Sequence, residues 1–135
     1  ALDMSSDGSR VAVGAPCRDN VDSDGLDDCY GYVRVFEWND ATSEWSDLGG
    51  LYGESTLDWF GNTLSLSSDG NRLAIGGKFN DGAAEDAGHV QLYDWNDGAW
   101  TLFGEANGEQ LGDVLGWNVV LSGDGSYATI GAWDR

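Results

Sequence analysis

The chain has little positive charge, little proline and no long apolar run. Its 135 residues include six lysines and arginines against 24 acidic residues, a formal net charge of −18, and a single proline. Such a charge repels phosphate backbones and anionic lipids, so we expect no nucleic-acid partner and no binding to a membrane surface. No stretch approaches the roughly 18 apolar residues of a membrane-spanning helix, which excludes insertion by a helix.

Histidine is almost absent as well. His89 is the single histidine, and it aligns with Tyr32 in an internal repeat, which favours a packing or rim position. One histidine with these neighbours builds neither a Ser-His-Asp nor a Cys-His set. Acidic residues are so abundant that no chosen pair of carboxylates indicates glycosidase chemistry. We therefore predict a protein that is not an enzyme.

Glycine and tryptophan are abundant, with 21 and seven residues, and both recur in an internal repeat. The segment MSSDGSRVAVGAP (4–16) returns as LSSDGNRLAIGGK (66–78) and again as LSGDGSYATIGAW (121–133). Between these lie GYVRVFEWND (31–40) and GHVQLYDWND (88–97). Each copy reads as four short strands joined by tight turns, because Asp-Gly and Asn-Asp-Gly are hairpin-turn sequences.

The third strand of each copy is apolar on both faces. In the second copy, Val90 and Leu92 alternate with Tyr93 and Trp95. A strand covered on both sides needs sheets packed above and below it, which favours the blades of a β-propeller. The main alternative, a β-sandwich, would not explain the repeat.

The predicted fold is therefore all-β, a partial propeller of about two and a half blades of four antiparallel strands. We place the repeat units at 1–62, 63–117 and 118–135, the first with a loop insertion. Because propellers close with roughly four to eight blades, we expect a longer polypeptide. Any signal peptide is expected to have been removed or to lie outside this piece.

The motifs at the strand ends resemble those of a known family. Phe60 and Gly61 precede the first strand of the second copy, and Gly14, Ala15 and Pro16 follow the second strand of the first. This arrangement resembles the FG-GAP repeat of integrin α-subunit propellers and their relatives. The resemblance implies a secreted or cell-surface protein. The other copies vary the motifs, with Leu115-Gly116, Gly76-Gly77-Lys78 and Gly131-Ala132-Trp133.

The calcium site of that family does not carry over to this sequence. Integrin-like copies place a D-x-D-x-D-G loop between the two motifs, whereas this chain has plain Asp-Gly turns at Asp7, Asp69 and Asp124. One carboxylate on a tight turn cannot supply the six to eight oxygens that calcium takes. We expect these three turns to hold no metal.

The segment CRDNVDSDGLDDC, residues 17–29, contains both cysteines and five aspartates. Cys17 and Cys29 lie at the ends of a loop between adjacent strands, where a disulfide is geometrically easy. A bridge would stabilise the fold by about 3 kcal/mol in the chain-entropy model and would indicate an oxidising compartment. Two free thiols are the alternative, and two cysteines without nearby histidine are a poor zinc set.

The same segment matches the first half of an EF-hand-like loop. Asp22 and Asp24 are expected to bind calcium through their side chains and Leu26 through its carbonyl, with Asp28 or Asn20 completing the shell. The closing bidentate glutamate is missing, so extra aspartates would have to replace it. The alternative is a solvated acidic loop that keeps a sheet edge from pairing with other chains.

The tryptophans fall into two groups. Four recur in register and are predicted to pack between blades, namely Trp38, Trp95, Trp45 and Trp100. Trp59, Trp117 and Trp133 do not recur, and we mark them as glycan contacts against the alternative of burial.

From these observations we predict a non-enzymatic structural or adhesive propeller segment of a large extracellular or cell-surface protein. Its partners would be other protein subunits or the rest of its own propeller, with calcium-assisted assembly as an option. The alternative function is a carbohydrate-binding, lectin-like propeller that uses the three non-recurring tryptophans to bind glycans.

Overall fold

The computed structural model describes residues 1–17 and 30–133 as a chain of β-strands, and those two ranges contain no helix and so none that could cross a membrane. The sheets are antiparallel, and in the four-stranded ones the strand order follows the chain. Blade 1 comprises β1 (Leu2–Met4), β2 (Arg10–Ala15), β3 (Tyr32–Asn39) and β4 (Glu44–Tyr52); blade 2 comprises β5 (Phe60–Leu66), β6 (Arg72–Gly77), β7 (His89–Asn96) and β8 (Ala99–Asn107); the blade 3 hairpin comprises β9 (Asn118–Leu121) and β10 (Ala128–Gly131). This architecture confirms the predicted all-β, partial-propeller fold class.

The Asp-Gly turns form because each one satisfies its own polar groups. In blade 2, the Ser67 hydroxyl donates to Asp69 Oδ1 at 2.6 Å, and the Asn71 amide donates to the same oxygen at 3.0 Å. Gly70 adopts φ +71°, a conformation that residues with a Cβ rarely take. Equivalent bonds join Ser5 to Asp7 at 2.7 Å and Ser122 to Asp124 at 2.6 Å.

These hydrogen bonds also hold the turn aspartates in their ionised form. The Ser9 amide and the Ser5 hydroxyl lower the pKa of Asp7 to about 2, and bonds from Ser122 and Ser126 lower that of Asp124 to about 2. Each carboxylate is thus used by its own turn, which is consistent with the expectation that the turns bind no metal.

Apolar side chains fill the space between successive blades. Ala12, Val33 and Val35 of blade 1 are fully buried against blade 2. A second, smaller core joins blade 2 to the blade 3 hairpin. The blade 2 side of the first core consists of Phe60, Leu64, Leu66, Leu73, Ile75 and Tyr93.

Glycines bring neighbouring blades into backbone contact. A Cβ on Gly14 would clash with the carbonyl oxygen of Gly61, and one on Gly76 would clash with the carbonyl oxygen of Gly116. Gly61 and Gly116 both have φ +85°, so each repeat places a left-handed glycine against a small residue of the preceding blade.

An arginine on the second strand of each complete blade reaches the next blade. Arg10 Nη1 donates to the Gly70 carbonyl at 3.0 Å, and Arg72 Nη1 donates to the Gly125 carbonyl at 2.9 Å. Arg72 also holds Asp94 through two bonds, Nε to Oδ1 at 2.6 Å and Nη2 to Oδ2 at 2.9 Å. Charge-assisted hydrogen bonds therefore join successive blades at the end that carries the Asp-Gly turns.

The recurring tryptophans differ from the prediction. Trp38 pairs with Trp45, and Trp95 with Trp100, across one hairpin of a single blade, with ring centroids 5.4 and 5.3 Å apart. Trp100 packs on the core between blades 1 and 2, whereas Trp45 is half exposed. These pairs are cross-strand contacts first. Trp100 adds to the packing between blades 1 and 2, and the Arg10 guanidinium of blade 1 lies over the Trp95 ring, 5.5 Å from its centroid.

Candidate functional site

Antiparallel pairing brings several loops to one end of the blades. The loops before β5 and β9 and the loop between β6 and β7 all lie there. The first and second strands of a blade are antiparallel, so the first strand starts at the end of the sheet where the second strand finishes. Trp59 immediately precedes β5, Lys78 follows β6, Trp117 precedes β9, and Trp133 follows β10. The three tryptophans that do not recur in the sequence therefore meet at this end.

These residues enclose a cavity of about 340 Å³ between blade 2 and the blade 3 hairpin. Trp117 and Trp133 pack with ring centroids 4.5 Å apart, and Trp59 meets Phe79 edge to face at 5.6 Å. We call this space the tryptophan cavity. Its lining consists of Trp59, Lys78, Phe79, Val114, Trp117 and Trp133.

The Lys78 ammonium lies over three aromatic rings of the cavity. Its Nζ is 4.6 Å from the Trp59 ring centroid, 4.9 Å from that of Phe79 and 4.5 Å from that of Trp117. The Lys78 amide donates to Asn62 Oδ1 at 3.1 Å, and Asn62 Nδ2 donates to the Gly116 carbonyl at 3.1 Å. The negative ring faces attract the ammonium group in this position.

Lys78 is the exception among the lysine and arginine side chains within residues 1–17 and 30–133. Arg10 pairs with Glu37 at 2.8 Å and Arg34 pairs with Asp47 at 2.6 Å. The third arginine, Arg72 in β6, pairs with Asp94 of β7 at 2.6 Å. Within the same ranges, the Lys78 ammonium forms no ion pair and donates no hydrogen bond. Its charge is therefore available to a ligand in the cavity.

A second cavity, of about 450 Å³, shares a wall with the first. Trp59 and Phe79 belong to both, and the far side of the second carries carboxylates. Asp81 Oδ1 accepts a hydrogen bond from the Asp86 amide at 2.8 Å. The remaining lining residues, on the loops before β5 and β7, are Thr56, Leu57 and Glu85. We call this the acidic cavity.

A buried Asp58–His89 pair lies at this end of blade 2 without lining either cavity. Asp58 Oδ2 accepts bonds from the Ser55 amide at 2.9 Å and from Asn80 Nδ2 at 3.1 Å, while His89 packs edge to face on Phe60 at 5.9 Å. Both side chains are almost fully buried. Burial raises the pKa of Asp58 and lowers that of His89, which favours the neutral imidazole.

Three atoms of this pair have no hydrogen-bond partner in the part of the chain that the structure describes. They are Asp58 Oδ1, His89 Nδ1 and His89 Nε2. His89 is thus a buried packing position of the kind the sequence predicted, and it lies outside the cavity walls.

The predicted metal and disulfide sites fall largely outside the described residues. Cys29 and the proposed calcium ligands Asn20, Asp22, Asp24, Leu26 and Asp28 all lie there. Cys17 is described and is not free, and its pairing with Cys29 stays a prediction. Within residues 1–17 and 30–133, no three histidine, cysteine or acidic side chains are grouped to hold a metal.

Sequence reasoning missed Lys78 and Phe79. The available signal was compositional, because Lys78 is the only lysine in a chain with 24 acidic residues. In the repeat pattern, Lys78 shows only as a departure from the Gly-Ala-Pro motif. Its aromatic neighbours come from separate loops, so no local pattern could connect them.

Comparison with known proteins supports the fold and corrects the predicted family. No protein-family model and no curated protein matches the chain. The chain is similar to a Bacteroides fragilis protein provisionally named as a 6-phosphogluconolactonase, at 16% identity and a TM-score of 0.57. It is also similar to the periplasmic gluconolactonase of Pseudomonas aeruginosa, at 16% identity and a TM-score of 0.56.

These matches cover 96% and 97% of this chain but 30% and 35% of the two lactonase chains. The chain therefore spans about a third of the length of the structures it resembles. At this level of identity, the likeness shows a shared β-propeller fold.

The identification with the FG-GAP family is wrong. No family model matches, and the similar structures are named as lactonases rather than integrin-like proteins. The physical reason lies in the glycines that carried the resemblance. Gly14 and Gly61 touch across blades, so close packing of blades is enough to require them without common descent from that family.

The prediction of a non-enzymatic structural or adhesive protein is also corrected, together with its lectin-like alternative. The similar structures are named as enzymes, and none of the comparisons points to adhesion or FG-GAP repeats. The argument against an enzyme rested on the single histidine. Carboxylates and lysine can supply acid-base and electrostatic catalysis without one.

Proposed function

We propose that this chain forms part of a β-propeller hydrolase that opens lactone rings derived from carbohydrates. The observation that carries the proposal is the tryptophan cavity, where an ammonium group that has no carboxylate partner among residues 1–17 and 30–133 adjoins an acidic wall. A cavity of about 340 Å³ is at the lower end of the range for small-molecule sites. The likeness to two propellers named as lactonases supports the reaction class.

The side chains at hand match the needs of lactone hydrolysis. A water oxygen adds to the ring carbonyl, the ring C–O bond breaks, and the product is a hydroxy acid. A carboxylate accepts the proton of the attacking water and returns it to the departing ring oxygen. Asp81, Glu85 and Asp86 of the acidic cavity are the candidates for this role, and Lys78 is the candidate to stabilise negative charge on the carbonyl oxygen.

The test is hydrolysis of glucono-1,5-lactone and its 6-phosphate, followed by proton release at constant pH against the spontaneous rate. Lys78→Met keeps an unbranched apolar stem but removes the charge. Loss of one group that stabilises an oxyanion costs about 10²–10³ in rate, so we expect a decrease of that size in kcat/KM.

Arg34→Met is the matched control. It removes one positive charge from the exposed pair with Asp47 on blade 1, away from both cavities, and should leave kcat/KM unchanged. A rate for the native chain no higher than the spontaneous rate would overturn the proposed function. So would equal losses in Lys78→Met and Arg34→Met.

The location, partners and metal of the protein are proposals of the same kind. A location outside the cytoplasm, extracellular or at the cell surface, is supported by the periplasmic setting named for one similar protein. Further propeller blades are the proposed partners. Calcium at the acidic loop is supported by its sequence pattern alone, and calorimetry that compares the native chain with the double variant Asp22→Ala, Asp24→Ala tests it.

A further inference from the structure

We propose that Lys78 makes the tryptophan cavity a site for ligands with an anionic oxygen group, either a carboxylate or a phosphate. This inference rests on the site of the proposed function and goes further, since it predicts that an anionic product or a phosphorylated substrate binds there more tightly than a neutral sugar. It can also be measured without any turnover.

The first argument is the state of the ammonium group. Three rings approach Nζ within 4.5–4.9 Å, and ring faces attract a cation without accepting its hydrogen bonds in the ordinary way. Within the described residues, its three N–H donors have no oxygen acceptor. The aromatic rings therefore position the charge and leave its strongest interaction, a charge-assisted hydrogen bond to an oxygen anion, to a ligand.

The second argument is the scarcity of unpaired cations in so acidic a protein. The arginines in the described ranges each hold a carboxylate within 2.6–2.8 Å. Lys78 has acidic residues on its own loop between β6 and β7, yet no carboxylate of the described ranges reaches it within 4.0 Å. Within the described ranges no carboxylate takes this charge, so the partner that we propose is a ligand.

The third argument concerns the aromatic rings, which the sequence marked as glycan contacts. The ammonium lies 4.6 Å above Trp59 and 4.5 Å above Trp117, so it covers the faces on which a sugar ring would stack. A neutral sugar would have to displace the lysine and lose its cation–π contacts. An anionic ligand can instead bind to the lysine where it lies.

The single lysine makes the test specific. In a polypeptide of residues 1–135 alone, reductive methylation with ¹³C-formaldehyde labels two amines, those of Lys78 and Ala1, and keeps their positive charge. Sodium gluconate, inorganic phosphate and glucose are then titrated in separate experiments at 0.15 M salt, where distant charges are screened beyond about 8 Å. The Ala1 signal is the internal control, because its amine bonds the Gly14 carbonyl at the edge of blade 1.

We expect a saturable shift of the Lys78 signal with gluconate, phosphate or both, and no shift with glucose. A response to gluconate alone identifies a carboxylate site, and a response to phosphate alone identifies a phosphate site. The inference is overturned if neither oxyanion shifts Lys78, if glucose shifts it equally, or if Ala1 moves in parallel with it.

Unlabelled variants provide a second measurement through tryptophan fluorescence. Lys78→Arg should retain anion-dependent quenching within about threefold of the native affinity, whereas Lys78→Met should weaken it at least tenfold. Equal quenching in Lys78→Met would overturn the inference. Anion binding without lactone hydrolysis would refute the proposed function alone, and hydrolysis without anion binding would refute this inference alone.

Discussion

Truncation of Leu64 to alanine should destabilise the protein far more than the same truncation of Leu2. The two residues hold equivalent positions on the first strands of their blades. Leu64 comes one residue before the residue that pairs with Ala74 in blade 2, and Leu2 comes one residue before the residue that pairs with Ala12 in blade 1. Leu64 is 7% exposed because blade 1 covers it, and Leu2 is 70% exposed. Burial, and not residue type or strand position, distinguishes them.

The magnitudes follow from what each side chain touches. Replacing a buried leucine with alanine loses the transfer free energy of its carbons and leaves a cavity, which together cost about 2–5 kcal/mol. An exposed substitution typically changes stability by less than about 0.5 kcal/mol. We therefore expect the free energy of unfolding to fall by about 2–4 kcal/mol for Leu64→Ala and by under 0.5 kcal/mol for Leu2→Ala.

Urea unfolding monitored by far-ultraviolet circular dichroism provides the assay, with equal m-values required so that the midpoints report stability. Similar losses in the two variants would refute the reasoning, because they would mean that the face of blade 1 bearing Leu2 is covered as well as the face of blade 2 bearing Leu64.

Three further predictions test other parts of the structure. Arg72→Lys breaks the two-bond contact with Asp94 and should cost about 1–2 kcal/mol of unfolding free energy, whereas Arg34→Lys, in an exposed pair, should leave the urea midpoint nearly unchanged. Since burial lowers the pKa of His89, the unfolded chain binds more protons below pH 6.5. The stability contributed by the neutral imidazole is therefore full above pH 6.5 and falls as the pH drops below it, by at most about 1.4 kcal/mol per pH unit. In His89→Gln, the urea midpoint should depend less on pH between pH 7.5 and 5.5 than it does in the native chain. Leu57 has φ +69°, so thermal unfolding should find Leu57→Gly more stable than Leu57→Ala by about 1 kcal/mol; the reverse order would contradict the strain assigned to it.

The sequence predicted the parts of the fold whose causes are local. The Asp-Gly hairpins could be read directly, because a serine, an aspartate and a left-handed glycine such as Gly70 satisfy the turn within a few residues. The two apolar faces of β7 also indicated their surroundings correctly. Tyr93 packs toward blade 1, and Val90 packs toward the blade 3 hairpin. Periodicity reports burial wherever a strand is covered by its neighbours in the same way along its length.

The site could not be predicted in the same way, because its contacts join distant parts of the chain. Trp59, Lys78 and Trp117 lie in three different loops, and only the stacking of blades brings them within cation–π distance. Failure to recur distinguishes the three tryptophans in the sequence, and their role as glycan contacts stays a prediction. The lysine between them changes what these rings can bind, since ring faces that could stack on a sugar hold the lysine ammonium instead.

Some positions hold the same residue in successive repeats and others do not, and this difference explains the location of the tryptophan cavity. Positions that close each turn or let blades touch hold the same residue in successive copies, as Gly61 and Gly116 do with the same φ of +85°. Other positions at the strand ends differ between copies and line the cavity instead. Lys78 and Trp133 hold equivalent positions after β6 and β10 and line one cavity from opposite sides. Because blade packing constrains the glycines and not these positions, a propeller of this kind can change its ligand chemistry at the loop end without disturbing the sheets. A variant that exchanges Lys78 should therefore alter binding more than it alters stability, whereas one that exchanges Gly61 should do the opposite.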